Sequence, residues 1–471
     1  MLILVYAPTN SRTIARDLGR AEYSYYFVLK EFRPLLEQLG IVIEITDPEH
    51  EVDRIHNAAI RRGIDCVFLC FAPPHLVPGG LVCPTVPVFA WEFDTLPNET
   101  WSDNWRDDWS ALLRRVGQAI THSSFTVDVV RNALGRAYPI VSLPAPVWDR
   151  HAAAYDPTRN SVLTPPTLLN VRGRIIDSAT FDLAPYTCAA RRRDGQAELP
   201  GSRRERALTH AVTLSGVIYT AIFNPNDGRK NFSDMIAAFG WALRDEPRAT
   251  LVLKATNRKC EGALKAMVEE FAKVQPTRCR MVIIDGFLEE SEYARLLEIS
   301  TYALNTSLGE GQCLPLMEYM SAGKPAISPA HTGMRDYISE ANAFVVRSSL
   351  EPFHWPHDPR EAIRTRRHRI DLESLLGAYR ESFRVATSDA ASYHRMARAA
   401  HHGLRAHCSR QVVLKQLTRF LDRVRHRPGS VTHVSSAPEP QTPDVVRLRS
   451  GQDGGRAASP WQALADAGSA D

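Results

Sequence analysis

Short apolar runs alternate with helical patterns twice along this chain, and that rhythm narrows the possible folds more than any other feature. Residues 2–7 form an apolar run that suits a buried first strand, followed by a loop over 9–17. From 19 to 39 the period is helical, with Tyr25, Val28, Leu29, Phe32, Leu35, Leu36 and Leu39 on one side and Gly40 closing it. Further strands are predicted at 41–46, 66–71, 86–91, 118–122 and 139–143, with helices across 52–62, 101–116 and 124–134. Alternation of this kind, sustained over about 145 residues, predicts a parallel, Rossmann-like sheet.

The rhythm breaks between 150 and 210, a stretch rich in Pro, Arg and Ser that reads as a linker with an inserted loop. It resumes with strands at 214–223, 250–255, 281–285, 302–305, 326–328 and 343–346, and helices at 231–244 and 261–274. The expected organisation is an N-terminal Rossmann-like domain at 1–149, the linker at 150–210 and a second Rossmann-like domain at 211–400. Helices at 401–427 cross back to the first domain. The remainder, 428–471, has few large apolar groups and cannot bury enough surface to offset ordering entropy, so disorder is expected there.

Composition removes several function classes. A formal net charge of +4 demands no nucleic-acid partner, and Arg191-Arg192-Arg193 reads as a solvated loop. The eight cysteines form no Cys-x-x-Cys pair and no zinc-type spacing, which fits a reduced, cytoplasmic protein without a metal. The opening apolar run carries no basic leader, and no stretch approaches the roughly 18 apolar residues of a membrane span. Any membrane association is therefore expected to be peripheral.

Chemistry concentrates at 310–325. Glu310-Gly-Gln-Cys-Leu-Pro-Leu-Met-Glu318 sets two carboxylates around a predicted helix start, with Pro315 in its first turn. A helix start leaves N–H groups unpaired, and those attract phosphate. Gly323 suits the position just past the helix, and Pro325 prevents its continuation. Open parallel sheets bind ligands beyond the carboxyl ends of their strands. Four such ends in the second domain carry suitable groups: Gly228-Arg229-Lys230-Asn231, Lys254, Gly286-Phe287-Leu288 and Glu310-Gly311. A departing diphosphate gains charge in the transition state, so a fixed cation beside it accelerates the reaction. Lys230 is the first choice for that cation, with Arg229 and Lys254 behind it. A carboxylate can accept from both ribose hydroxyls, a role suited to Glu318, while Glu310 reaches the sugar ring.

These residues resemble the retaining glycosyltransferases of family 4, whose E-x7-E motif is matched by Glu310 and Glu318. The family's basic pair before a helix is matched by Arg229-Lys230-Asn231. The resemblance is strongest over 215–346 and visible over 1–146. It implies the GT-B fold, an α/β architecture of two facing Rossmann-like domains with parallel sheets and an interdomain cleft. It implies that Glu318 binds ribose, Glu310 the donor sugar and Lys230 the diphosphate. The amides around Cys313, Leu314, Pro315 and Leu316 would hold phosphate, and Gly286, Phe287 and Leu288 would face the base.

The chain departs from the family pattern in two places. Asn224 stands where many members carry an arginine on the donor side, leaving Lys254 to substitute. The strand end Trp91-Glu92-Phe93-Asp94 stands where many carry a histidine, and Glu92 takes that place against the donor sugar. His75 is a weaker candidate. Gly19-Arg20-Ala21-Glu22 resembles the family's acceptor-side helix start, where Arg20 would suit an anionic acceptor. Trp101, Trp105 and Trp109 lie at helical spacing, which reads as a packed face in preference to a sugar platform.

The implied function is metal-independent, retaining transfer of a sugar such as mannose from a GDP- or UDP-sugar co-substrate, with no other cofactor. The acceptor would be a saccharide or a lipid-linked carrier of bacterial surface polysaccharide or lipopolysaccharide, met at the inner membrane. The competing reading is a catalytically silent sugar-nucleotide-binding or scaffold protein.

Overall fold

The computed structural model of the chain describes residues 1–14, 19, 22–158, 161–194, 197–199, 208–257 and 259–425. The predicted tail at 428–471 lies outside them. In the first lobe, strands β1 (Leu2–Tyr6), β2 (Ile41–Glu44), β3 (Cys66–Phe71), β4 (Thr85–Phe89), β5 (Ala119–Thr121) and β6 (Ile140–Ser142) form one sheet in the order β2-β1-β3-β4-β5-β6. Every pair is parallel. The order reverses between β1 and β3, which opens a crevice beyond their carboxyl ends.

The helix Ser24–Leu39 packs Tyr25, Val28, Leu29, Phe32, Leu35 and Leu36 inward, as its period predicts. It starts five residues later than the pattern at 19 suggests, because Gly19 (φ +87°) and Glu22 (φ +63°) are left-handed and cannot continue a helix. The predicted helix over 101–116 also breaks. A 3₁₀ turn covers Trp105–Asp107, and the α-helix is only Trp109–Val116, capped by Asp108 accepting from the Ala111 amide. Trp109 is buried while Trp105 is exposed, so the three tryptophans share no helical face.

The main sheet of the second lobe contains one strand that the sequence pattern does not reveal, and the later hairpin contains two more. β7 (Thr164–Asp177) lies inside the segment read as a linker and pairs antiparallel with both β8 (Thr209–Phe223) and β10 (Arg280–Phe287). Pro165, Pro166 and the arginines at 172 and 174 hide it, yet Leu169 and Val171 bury one face and Ile176 the other. The sheet is therefore mixed. Its parallel part comprises β8, β9 (Ala249–Ala255), β10, β11 (Tyr302–Leu304), β12 (Ala326–Pro329) and β13 (Ala343–Val346). β9 and β11 flank β8 on opposite sides, which puts this lobe's switch point between β8 and β11.

A hairpin of β14 (Ser348–His354) and β15 (Ile363–Ile370) follows, then helices Leu372–Ser388, Ala390–Cys408 and Arg410–Arg425. Asp371 and Asp389 cap the first two of these helices by accepting from the Ser374 and Ser392 amides. The last helix returns to the first lobe, with Leu417, Phe420 and Leu421 in one core with Val28, Leu35 and Leu36. Both lobes belong to a single compact unit, Met1–His426. No helix among the described residues is long and apolar enough to cross a membrane.

Candidate active site

The loops after β8 and β11 meet at the second lobe's switch point. Lys230 ends a 3₁₀ turn, Gly228–Lys230, whose cap Asp227 accepts from the Arg229 amide. The left-handed Asn231 then turns the chain into helix Phe232–Ala242. Lys230 Nζ donates to Glu310 Oε1 over 2.5 Å, and Ser307 Oγ donates to the same oxygen over 2.6 Å. The Thr332 hydroxyl accepts from the Glu310 amide. Burial disfavours both charges, but each stabilises the other more. Lys230 is raised to about 12 by Glu310 and Asp227 against its burial. Glu310 is held below its ordinary value by Lys230 and Arg229 despite its own burial. A small cavity beside this pair is lined by Phe223, Lys230, Asn305, Ser307, Glu310 and Cys313.

The helix Leu314–Ser321 begins at this cavity. Cys313 precedes it with left-handed backbone, and Pro315 occupies its first turn and lines the cavity. Leu314 is half-buried. Gly323 ends the helix at φ +71°, where a Cβ would stand 2.2 Å from the Tyr155 ring, so glycine is required on both counts. Gly311 faces the first lobe, and a Cβ there would lie 2.5 Å from that of Ala90. This close approach brings Glu92 to the site, where it forms an ion pair with Arg229 across the cleft. Arg229 also holds Asp227, Nη2 to Oδ2, over 2.8 Å.

Several predicted residues sit elsewhere. Glu318 is not among the residues lining the cavity beside Lys230. Tyr293 Oη donates to its Oε2, and His151 Nε2 stands 4.0 Å from Oε1. Burial raises its carboxyl from 4.5 to about 7. Lys254 is also absent from the cavity, because β9 lies on the far side of β8 from β11. Its Nζ donates to the Ala255 carbonyl, and burial lowers it to about 8 against the pull of Asp285.

Gly286 and Phe287 are not a loop after the strand but its last two residues, paired with Gly173 and Arg172 of β7. A Cβ at Gly286 would meet the Arg172 carbonyl at 2.6 Å. Leu288 is buried with Leu169 and Val171. All three thus seat the unforeseen strand.

Asn224 reaches across to the first lobe. Its Nδ2 donates to the Gly19 carbonyl of the first lobe over 3.0 Å, and Asn257 donates to the same oxygen over 3.1 Å. The acceptor-side and donor-side candidates therefore touch each other. Arg20 lies outside the described residues. Ser307, Tyr293 and Asn257 were not foreseen, and only their position after or beside strand ends could have signalled them.

With this geometry in place, the comparisons are specific. Residues 216–353 match the family described as glycosyl transferases group 1. This segment is a group 1 glycosyltransferase domain. The glycosyltransferase domain thus covers both switch-point loops and ends within β14. Among solved structures, sucrose-phosphate synthase from Thermosynechococcus elongatus superposes with a TM-score of 0.52 at 13% identity, over 90% of this chain and 99% of that one. A glycosyltransferase from Rickettsia africae gives 0.50 at 12% identity, over 91% and 99%. These likenesses establish the GT-B fold for the two lobes. No curated protein sequence matches the chain.

Proposed function

We propose that the chain transfers a sugar, with retention, from a nucleotide-sugar donor to a saccharide or lipid-linked acceptor. The observation that carries this reading is the buried Lys230–Glu310–Ser307 cluster at the β8/β11 switch point, beside a helix start. The diphosphate lies against Lys230 and the amides at Cys313–Leu316, and Glu310 faces the transferred sugar. As the glycosidic bond breaks, the oxocarbenium-like sugar meets the Glu310 carboxylate while Lys230 takes the growing phosphate charge. At an effective dielectric near 20, a charge pair about 4 Å apart is worth roughly 4 kcal/mol before desolvation. Glu318 accepts from ribose when Tyr293 yields its bond. The sugar is a hexose such as mannose, the donor base guanine or uracil, and the product a bacterial surface polysaccharide or lipopolysaccharide. A lipid-linked acceptor places the protein at the inner membrane as a peripheral partner.

A thermal-shift panel of GDP, UDP, ADP and dTDP, then of their sugar conjugates, identifies the donor by mass action. Release of the free nucleoside diphosphate with acceptor present is the expected outcome. Donor binding without transfer or hydrolysis across a broad panel would instead favour a silent binding protein, a reading that rests on Asn224 being spent on Gly19.

A further inference from the structure

The first lobe has a crevice of its own between the ends of β1 and β3, and the Lys230–Glu310–Ser307 cluster takes no side chain from it. The loop after β1 delivers Glu22, and the loop after β3 delivers His75 on a 3₁₀ turn, Pro74–Leu76. The third wall comes from the second lobe. The β14–β15 hairpin reaches across the cleft, where Arg360 and Arg364 pair with Glu99, and Trp355 Nε1 donates to Thr95 Oγ1 over 3.0 Å. Its tip sets His357 against His75, with ring centroids 4.7 Å apart. One ligand atom from each of Glu22, His75 and His357 lies within 4.8 Å of the others.

Three further observations distinguish this cluster from incidental packing. His75 Nδ1 is buried without a hydrogen-bond partner, a condition a folded protein tolerates only at a cost unless something fills it. Glu22 adopts a left-handed backbone that a non-glycine residue rarely takes, and such outliers gather at functional sites. Both imidazoles rest on the buried Trp109, which fixes their planes. The facing cations are already matched, since Arg229 is paired with Glu92 and Asp227, and Arg106 with Glu49.

We propose that Glu22, His75 and His357 bind one first-row divalent cation, of which zinc is the reference ion, and that it fastens the hairpin tip to the first lobe. Two imidazoles and a carboxylate are a recognised zinc donor set that leaves a fourth position open for water or an acceptor oxygen. The family match ends at residue 353, so the tip that supplies His357 lies outside it.

The test uses the untagged full chain, stripped by dialysis against a chelator. Zinc is titrated against a chromogenic competitor, and cobalt is followed by its visible absorption. One ion per chain is expected, with cobalt bands free of thiolate charge transfer. His357→Ala and His75→Ala should each weaken binding by at least the roughly 10–100-fold that even outer-shell changes cost. His357→Ala lies in the loop joining β14 to β15, and circular dichroism reports whether it folds. Zinc should also slow amide exchange over 354–362. Absence of binding, an affinity unchanged from the parent chain in either variant, or a thiolate band would overturn the proposal.

Discussion

Each lobe opens a crevice where its strand order reverses, and the two crevices are built in opposite ways. In the second lobe the wall is charged and internally matched, with Lys230 and Glu310 buried together and Arg229 tied to Asp227 and Glu92. In the first lobe it is aromatic and imidazole-rich, with His75, His357 and Trp109 in ring contact. The first kind suits a ligand that brings large charges of its own. The second suits a cation or a neutral hydroxyl-bearing group. The contrast also separates what can be found from sequence. Lys230 and Glu310 stand within short motifs, whereas Glu22, His75 and His357 come from three distant segments.

Breaking the charged crevice should have the largest effect. Lys230→Ala removes the cation at the proposed leaving group and should reduce turnover on the order of 10²–10³, read as nucleoside diphosphate release. It also leaves Glu310 buried without its partner, which costs about 3–5 kcal/mol when an ion pair is broken from one side. The double variant Lys230→Met with Glu310→Gln should recover much of that stability and none of the activity. Full activity in Lys230→Ala would move the catalytic site away from this crevice.

Glu318 gives a smaller and pH-dependent effect. Its folded value, near 7, lies above the ordinary 4.5, so between these values the folded chain holds a proton that the unfolded chain has released. Stability from this group is fully present below about 4.5 and is lost as pH rises through about 7. Only the ionised form is acceptor-only towards ribose hydroxyls, so nucleotide affinity should strengthen as pH rises through the same range. Glu318→Gln should weaken nucleotide binding and flatten both dependences, as read by calorimetry and by denaturation across pH. An unchanged affinity profile would remove Glu318 from the nucleotide site.

Much of the fold was legible because buried parallel strands read as apolar runs and helices as periodic stripes. Cys66–Phe71 and Ala249–Ala255 illustrate this, since every residue in each is buried. β7 escaped because five of its fourteen residues are exposed and its prolines and arginines mimic a linker. Gly286 and Phe287, read from sequence as a base-facing loop with Leu288, pair with it, and Leu288 packs against it. The 310–325 segment was legible through local rules, with Pro315 at the helix start and Gly323 past its end. What local rules do not carry is which side chain a strand end meets across the cleft. Asn224 meeting Gly19, and Glu92 meeting Arg229, are tertiary events with no sequence spacing to announce them.

The mildest change tests the same point within one lobe. Lys230 and Lys254 are both buried near the carboxyl ends of neighbouring elements, yet their environments push them in opposite directions. Lys230 has carboxylates that outweigh burial. Lys254 has mainly the Ala255 carbonyl, and burial lowers it from 10.5 to about 8. Between those values the unfolded chain holds the proton and the folded chain does not, so stability rises with pH across that window. Below it the buried ammonium is a standing cost. Lys254→Met should therefore leave nucleoside diphosphate release unchanged and stability at neutral pH equal or higher, with a flatter stability profile above pH 8. A large loss of turnover in this variant would bring Lys254 back to the donor phosphate and show that the strand order misplaces it. Lost stability would show that its bond to Ala255 outweighs the burial of its charge.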